Sequence, residues 1–264
     1  MTRTISHQLR RLGRATVCGL VRRFPGLKIL LPTTTPLKVR RFSCGDERTS
    51  ELIVFLPGIA DVLEDFELNK FVEAMRESAR PADMLVADVH AGYYFRRSML
   101  ERLHKDVIEP ARLCGYTKIW LVGISLGGFG ALLYARENAS ELYGLMLLAP
   151  YVGENDLIKE ISDAGGLQSW NPGIIKADDY AHRIWGWLKH EYVDRNANSP
   201  IEIYLGFGNR DRFARGNTLL AEILPAERVV TTHGGHDWQT WRQVWRSFLA
   251  RRESHAMPKT SESS

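Results

Sequence analysis

Residues 118–137 have the sequence KIWLVGISLGGFGALLYARE, which combines an apolar strand, a tight turn and a helix. The apolar run Lys118–Gly123 is typical of a strand that is covered on both faces, and Leu126–Glu137 has helical character. The turn places glycines two positions before and after Ser125. A serine on so sharp a turn exposes its Oγ above the carboxyl edge of a sheet. The stretch therefore predicts a nucleophile at the edge of a parallel sheet, with a plain strand–helix turn as the alternative.

Short aliphatic runs recur on both sides of this stretch and alternate with amphipathic segments of helical length. The other predicted strands are Leu37–Ser43, Leu52–Leu56, Met84–Val89, Gly144–Ala149, Ile201–Phe207 and Arg228–Thr231. The other predicted helices are Glu67–Ser78, Met99–Leu113, Thr218–Ile223 and Trp238–Arg251. Such alternation indicates the α/β class, with a mostly parallel central sheet and helices on both faces.

The pattern also predicts the organisation of the chain. A single α/β domain is expected over residues 37–252, with a basic arm before it (1–36) and a polar tail after it (253–264). Residues 151–200 lack a strand pattern but are rich in tryptophan and helix-like segments. Long connections of this kind often form lids or binding elements. We therefore expect a small helical cap in 151–200, with an ordinary long crossover as the alternative.

Charge is distributed unevenly along the chain. The net charge is +4, yet residues 1–45 contain ten Lys or Arg and no acid, so the remainder is net acidic. A nucleic-acid-binding surface on the domain is therefore not expected. In the arm, Ile5, Leu9, Leu12 and Leu20 fit one face of a helix. This pattern predicts either peripheral contact with a membrane or partner, or an arm that is solvated or packed on the domain.

Cysteine usage and hydropathy bear on the cellular compartment. The three cysteines, Cys18, Cys44 and Cys114, are too few and too scattered for a disulfide framework, and no Cys/His spacing suggests a metal site. No apolar run approaches the ~20 residues that span a bilayer. Arginines also interrupt the apolar region that a signal peptide would need. We expect a cytoplasmic protein, with peripheral membrane contact through the arm as the alternative.

A serine hydroxyl needs a base within hydrogen-bond reach. When the serine lies on such a turn, the acid and the histidine follow later in the chain, after later strands. Asp211 ends the segment Gly208–Asp211, just past the strand IEIYLGF, and His236 lies between the strand RVVT and the last helix. We predict that His236 takes the Ser125 proton and that Asp211 fixes its tautomer. His233 and Asp237 are the competing base and acid.

Stabilisation of an oxyanion requires backbone donors near the serine. One predicted donor is the N–H of Leu126, at the start of the helix. The second is expected in Leu56–Asp61, after an early strand, where Gly58 permits close approach of the backbone. The N–H of Ile59 is the predicted donor, with Ala60 as the alternative. A plain Pro57-Gly58 turn without this role is the other interpretation.

Three side chains near the predicted strand ends are candidates for the substrate pocket. They are His90, Tyr93 and Trp238. For His90, a structural polar contact is the alternative. The neighbouring residues Tyr94, Arg96 and Arg97 fit contact with a polar or anionic substrate, and fit surface packing equally.

These motifs together resemble the α/β-hydrolase superfamily, in particular its bacterial serine-esterase-like members, over roughly Leu37 to Ala250. The motifs that carry the likeness are PGI (Pro57–Ile59), GISLGG (Gly123–Gly128), GNRD (Gly208–Asp211) and GGHDW (Gly234–Trp238). The resemblance implies an eight-stranded, mostly parallel sheet, a Ser–Asp–His triad, and acyl transfer to water without a metal or organic cofactor. Many members have His-Gly where this chain has Pro57-Gly58, a departure that bears on the oxyanion loop.

The predicted function is hydrolysis of a small-molecule carboxylic ester or thioester through an acyl-enzyme. The same residues would serve an acyltransferase that passes the acyl group to an alcohol or amine. A binding protein that keeps the fold without turnover is the alternative outside enzymology.

Overall fold

The computed structural model describes residues 8–17, 31–44, 49–194 and 201–254. Several predicted features lie outside the described residues. They are Ile5, Cys18, Leu20 and the tail beyond residue 254.

A seven-stranded sheet forms the centre of the described domain. Its strands are β1 (Val39–Phe42), β2 (Glu51–Leu56), β3 (Asp83–Ala87), β4 (Lys118–Ile124), β5 (Gly144–Leu148), β6 (Glu202–Gly208) and β7 (Val229–Thr232). The strand order is β1-β3-β2-β4-β5-β6-β7, and only β1 runs antiparallel to its neighbour. The predicted α/β class with a mostly parallel sheet is confirmed.

The strand count differs from the eight strands that the resemblance implies. In the described residues, 31–38 before β1 form no strand. This segment contains Pro32 and Pro36, which have no backbone N–H to donate to a sheet ladder. The sheet therefore begins at Val39 with a short antiparallel edge strand.

The central strands are apolar on both faces because helices cover both sides of the sheet. Every residue of β2 is buried, as is every residue of β5. The helices are α1 (8–17), α2 (Asp65–Leu68), α3 (Phe71–Arg76), α4 (Ala91–Phe95), α5 (Met99–Leu103), α6 (Glu109–Leu113), α7 (Leu126–Asn138), α8 (Asn155–Asp163), α9 (Tyr180–Leu188), α10 (Ala214–Ala221) and α11 (Trp238–Ser254). Short 3₁₀ turns lie at Ala139–Glu141 and Ala226–Arg228.

Two predicted helices are interrupted. The segment expected as Glu67–Ser78 is divided into α2 and α3 because Lys70 adopts a left-handed conformation with φ 68°. The segment expected as Met99–Leu113 is helical throughout, but a π-helical turn, His104–Ile108, separates α5 from α6. Pro110 follows that turn, and a proline lacks the N–H that a regular helix interior requires.

Helix α1 contacts the domain through its arginines. Arg10, Arg11 and Arg14 form ion pairs with carboxylates of the domain, whereas Leu9 and Leu12 are 64% and 65% exposed. Packing of this part of the arm on the domain agrees with one of the two interpretations of its sequence. Membrane contact stays a prediction, and it would involve the leucine side of the helix. No helix in the described ranges combines the length and hydropathy that crossing a bilayer requires.

An aromatic cluster fixes α11 against the sheet. The Trp245 ring stacks on Phe71 and meets Phe55 edge-on, and its indole N–H donates to the Phe71 carbonyl oxygen at 3.1 Å. Trp245 is fully buried. Because α11 begins two residues after His236, this packing helps to determine where the imidazole stands.

Candidate active site

Ser125 stands at the junction of β4 and α7 in an unusual backbone conformation, with φ 53° and ψ −113°. The flanking glycines are required by close backbone packing. A Cβ on Gly123 would lie 2.4 Å from the Gly127 carbonyl oxygen, and one on Gly127 would lie 2.0 Å from the Leu56 carbonyl oxygen. The two glycines therefore let β4, α7 and β2 meet closely enough to hold this turn.

Backbone hydrogen bonds hold the turn from the neighbouring strand. The Ser125 N–H donates to the Leu148 carbonyl oxygen at 3.1 Å. The Ser125 carbonyl oxygen accepts from the N–H groups of Gly128 and Tyr151, each at 3.0 Å. The nucleophile candidate is thus fixed by β5 and by the loop that follows it.

Ser125, His236 and Asp211 form a continuous chain of hydrogen bonds. The distance from Ser125 Oγ to His236 Nε2 is 2.9 Å, and His236 Nδ1 lies 2.7 Å from Asp211 Oδ2. The second oxygen, Asp211 Oδ1, accepts from the N–H of Phe213 at 2.8 Å. The Asp211 side chain is fully buried, while the His236 side chain is 12% exposed. The structure therefore brings together the three residues predicted as nucleophile, base and acid.

Two aromatic rings flank the imidazole. Phe213 and Trp241 each meet the His236 ring edge-on, with centroids 5.0 Å away. Neither ring competes for the imidazole nitrogens, so both nitrogens remain available for the serine and the carboxylate. The packing restricts rotation of the ring about its side-chain bonds.

The loops that carry Asp211 and His236 are hydrogen-bonded to each other. The Arg210 N–H donates to the Gly234 carbonyl oxygen at 2.9 Å, and the Asn209 N–H donates to the Thr232 carbonyl oxygen at 2.9 Å. A Cβ on Gly208 would lie 2.3 Å from the Gly234 carbonyl oxygen, so the backbones touch at that point. The two loops form one paired unit at the carboxyl ends of β6 and β7.

The loop after β2 lies beside the serine. A Cβ on Gly58 would stand 3.6 Å from Ser125 Cβ and 2.5 Å from Asp61 Oδ2. Ile59 and Leu126 pack in one small apolar cluster with Val17, Leu31, Ala91 and Phe95. The two residues predicted to supply oxyanion donors therefore pack against the same small cluster.

Asp61 belongs to this loop and was not singled out by its sequence. Its Oδ2 accepts from the Gly58 N–H at 3.1 Å, and its side chain is 5% exposed. Burial raises the pKa of Asp61 to about 6, and the nearby Asp65 carboxylate adds to the rise, while Arg11 opposes it. Its spacing, three residues after a glycine in a loop, resembles the turns in which an aspartate bonds a nearby backbone N–H.

The three predicted pocket residues make mainly structural contacts. His90 Nδ1 accepts from the Gly92 N–H at 3.1 Å and caps α4, and burial lowers its pKa to about 4. The buried Tyr93 hydroxyl accepts from the Thr34 N–H at 3.0 Å. Trp238 packs edge-on against the aromatic cluster below α11.

A row of aromatic rings missed by the sequence analysis extends from the imidazole. We call Phe129, Tyr151 and Phe213 the aromatic wall. The Tyr151 ring centroid lies 5.5 Å from those of both Phe129 and Phe213, and Phe213 contacts His236. The three rings come from α7, the loop after β5 and the loop after β6, so no local pattern could have grouped them.

Solved structures with the same fold are similar to this chain at low sequence identity. S-formylglutathione hydrolase of Staphylococcus aureus matches with a TM-score of 0.55 and 13% identity, covering 76% of this chain and 80% of its own. Est1E of Butyrivibrio proteoclasticus matches with a TM-score of 0.55 and 17% identity, covering 84% of this chain and 97% of its own. Enterochelin esterase of Shigella flexneri has a TM-score of 0.52 and 16% identity, over 83% of this chain and 56% of its own. These likenesses show the fold.

The sequence itself matches a protein family. A comparison with curated proteins gave no match. Residues 113–250 match the family described as "Putative esterase", and this range is just over half of the chain. It includes Ser125, Asp211 and His236. The predicted α/β-hydrolase resemblance and the predicted enzyme class are confirmed, and the chain belongs to this family of serine-esterase-type hydrolases.

Proposed function

We propose that the protein hydrolyses small-molecule carboxylic esters or thioesters through a covalent acyl-enzyme on Ser125. The observation that carries the proposal is the hydrogen-bond chain of 2.9 Å and 2.7 Å from Ser125 through His236 to Asp211. Both distances lie within the range at which a base can take a proton from a nucleophile.

Acylation follows from this geometry. Ser125 Oγ attacks the substrate carbonyl carbon as its proton passes to His236 Nε2. The imidazolium is stabilised by the ionised Asp211, which also fixes the tautomer in which Nε2 can accept. When the tetrahedral intermediate collapses, the bond to the alcohol or thiol breaks. The leaving group departs with the proton that His236 returns to it.

Deacylation repeats the sequence with water as the nucleophile. His236 takes a proton from a water molecule, whose oxygen attacks the acyl carbon of the Ser125 ester. Collapse of the second tetrahedral intermediate releases the carboxylic acid and returns the proton to Ser125 Oγ. The net reaction consumes one water and needs no redox partner.

The negative charge that develops on the carbonyl oxygen requires fixed donors. We assign this role to the backbone N–H groups of Ile59 and Leu126. Two observations support this assignment. The Gly58 backbone approaches Ser125, and Leu126 is the first residue of α7. A helix N-terminus presents unpaired N–H groups and a favourable dipole to such an anion.

We further propose that residues 151–200 act as a cap that contributes to the substrate site. This segment contains α8 and α9 and connects β5 to β6. Its first residue, Tyr151, belongs to the aromatic wall beside His236. Aromatic rings in this position favour an apolar or aromatic group on the substrate.

The proposal is tested by labelling and turnover together. The wild-type protein and Ser125→Ala are treated with a fluorophosphonate probe and assayed on p-nitrophenyl esters and acyl-thioesters of graded chain length. We expect labelling and turnover in the wild type and neither in Ser125→Ala. Ser247→Ala, which removes a hydroxyl from the surface of α11, is the matched control and should behave as the wild type.

Other outcomes identify the alternatives. Absence of labelling in a folded wild-type protein would overturn the hydrolase mechanism and favour a binding role. Labelling with efficient acyl transfer to an added alcohol, at the expense of water, would indicate an acyltransferase.

A further inference from the structure

Asp61 holds the loop that carries the proposed oxyanion donor, because it bonds to both the N–H and the carbonyl oxygen of Gly58. The Asp61 carboxylate accepts from the Gly58 N–H at 3.1 Å, and the Asp61 N–H donates to the Gly58 carbonyl oxygen at 3.2 Å. In a trans peptide the carbonyl and the following N–H point in opposite directions. Fixing the Gly58 carbonyl therefore also fixes the direction of the Ile59 N–H.

Asp61 is in turn held by α1, which precedes the sheet in the chain. Arg11 Nη2 donates to Asp61 Oδ1 at 3.1 Å, and Arg14 Nη1 donates to the Asp61 carbonyl oxygen at 2.7 Å. Arg14 also donates to Asp88 Oδ2, at 2.9 Å, and so connects the loops after β2 and β3. One helix outside the sheet thus contacts Asp61 at two atoms.

The charges explain why a cation is needed here. Asp61 and Asp65 are both buried, with side chains 5% and 0% exposed, and each repels the other's negative charge. Arg11 reaches both carboxylates, since its Nε lies 3.5 Å from Asp65 Oδ2. Removing one partner from a buried charge pair leaves the remaining charge uncompensated. Without the guanidinium, the buried Asp61 carboxylate loses the cation that its Oδ1 contacts.

We propose that Arg11 is a positioning residue for ester hydrolysis, which acts through Asp61 to orient the Gly58–Ile59 peptide for oxyanion binding. The inference rests on the proposed function and assigns α1 a part in the chemistry of a site to which it contributes no reacting group. Arg11 itself touches neither Ser125 nor the substrate in this scheme.

The test compares full-length variants whose charges are matched. Arg11→Gln removes the guanidinium that contacts Asp61, and Arg10→Gln removes one on the same helix that pairs with Glu64, whose side chain is 31% exposed. Deleting an oxyanion donor typically lowers turnover by ~10²–10³. For a donor that is misdirected rather than deleted, we expect Arg11→Gln to lower kcat by about 10- to 100-fold, with KM changed less than about twofold.

Further variants separate positioning from a general loss of structure. Rates are normalised to active sites titrated with the fluorophosphonate probe. Arg11→Lys should restore part of kcat, and Arg10→Gln should retain the wild-type value. If Arg11 acts through Asp61, then Arg11→Gln should cost little more once Asp61→Asn is present, because the two effects are not additive.

Several results would overturn the inference. They are a wild-type kcat in Arg11→Gln, equal losses in Arg10→Gln and Arg11→Gln, or independent losses in the double variant. A turnover that survives Ser125→Ala would instead refute the proposed function. Inactivity of Ser125→Ala combined with full activity of Arg11→Gln would refute only the role of Arg11.

Discussion

At Ser125 the backbone is held at φ 53° and ψ −113°, which residues other than glycine rarely adopt. Conformations of this kind cost of order 1–3 kcal/mol and persist where the surrounding structure enforces them. Here the enforcement comes from the bonds to Leu148 and Tyr151 and from the glycine contacts on each side. In this backbone conformation, Ser125 Oγ lies 2.9 Å from His236 Nε2.

The proposed role of Asp211 as the acid of a triad is tested by Asp211→Asn. An amide at this position can orient the imidazole in the wrong tautomer and cannot stabilise the imidazolium. In a well-studied serine protease the equivalent change lowers kcat by ~10⁴. We expect a loss of comparable order here, measured on the best p-nitrophenyl ester, with the fold unchanged by circular dichroism.

Asp237→Asn is the matched control for this prediction. Asp237 is adjacent to His236 in sequence, but its Oδ1 accepts from the Thr240 N–H at 2.9 Å and caps the start of α11. Asparagine also serves as an N-cap, so activity should be retained. A large loss in Asp237→Asn with a near-normal rate in Asp211→Asn would transfer the acid role to Asp237.

The three residues of the proposed triad could be predicted because each lies within four residues of the end of a strand. His90 follows β3 in the same way, yet its imidazole caps α4 and its neighbour Tyr93 bonds to Thr34. A strand end gives the position of a residue at the sheet edge but not the direction of its side chain. That direction depends on segments, such as residues 31–36, whose placement no periodic pattern indicates.

At the scale of elements, the strands were predicted closely because apolar runs define the central ones. The arm helix was predicted as a helix, but the side that faces the domain could not be. Arg11 and Arg14 face the domain because they meet Asp61, Asp65 and Asp88, which lie more than 45 residues away in sequence. Pairing over such distances leaves no signal within the helix itself.

The proposed cap leads to a prediction on Tyr151. Tyr151→Ala should lower kcat/KM for an aromatic ester, such as p-nitrophenyl benzoate, relative to the acetate. The expected factor is roughly three- to tenfold, since an aromatic pair contributes about 0.5–1.5 kcal/mol. Tyr143→Ala is the control, because this residue immediately precedes β5 and lies far from the carboxyl edge. It should leave the ratio of kcat/KM for the aromatic ester to that for the acetate unchanged. An unchanged preference in Tyr151→Ala would remove the aromatic wall from the substrate site.

For the molecule as a whole, two buried groups affect the pH dependence of stability in opposite directions. The pKa of His90 falls from 6.5 to about 4, so its contribution to stability is present above pH 6.5 and is lost as the pH falls towards 4. The pKa of Asp61 rises from 3.8 to about 6, so its penalty develops as the pH rises through that interval. Between pH 4 and 6 the two effects oppose each other.

Replacing the His90 imidazole should separate its contribution to the pH dependence of stability from that of Asp61. His90→Asn retains an acceptor for the Gly92 N–H but does not titrate. Between pH 7 and pH 5 the wild type should lose about 2 kcal/mol more of its free energy of unfolding than His90→Asn does. Urea denaturation at the two pH values measures the difference. His233→Asn, which replaces an exposed imidazole, should lose as much free energy of unfolding between the two pH values as the wild type. Equal losses of this free energy in all three proteins would contradict the assignment to His90.

The backbone pairing between the loops after β6 and β7 has a consequence for engineering. Because Arg210 and Asn209 are bonded to Gly234 and Thr232, a length change in one loop displaces its partner as well. The loops that carry the proposed acid and base should therefore tolerate changes of length only together. Transplanting either segment alone from a relative should break the register of the other, whereas exchanging the two together would preserve it.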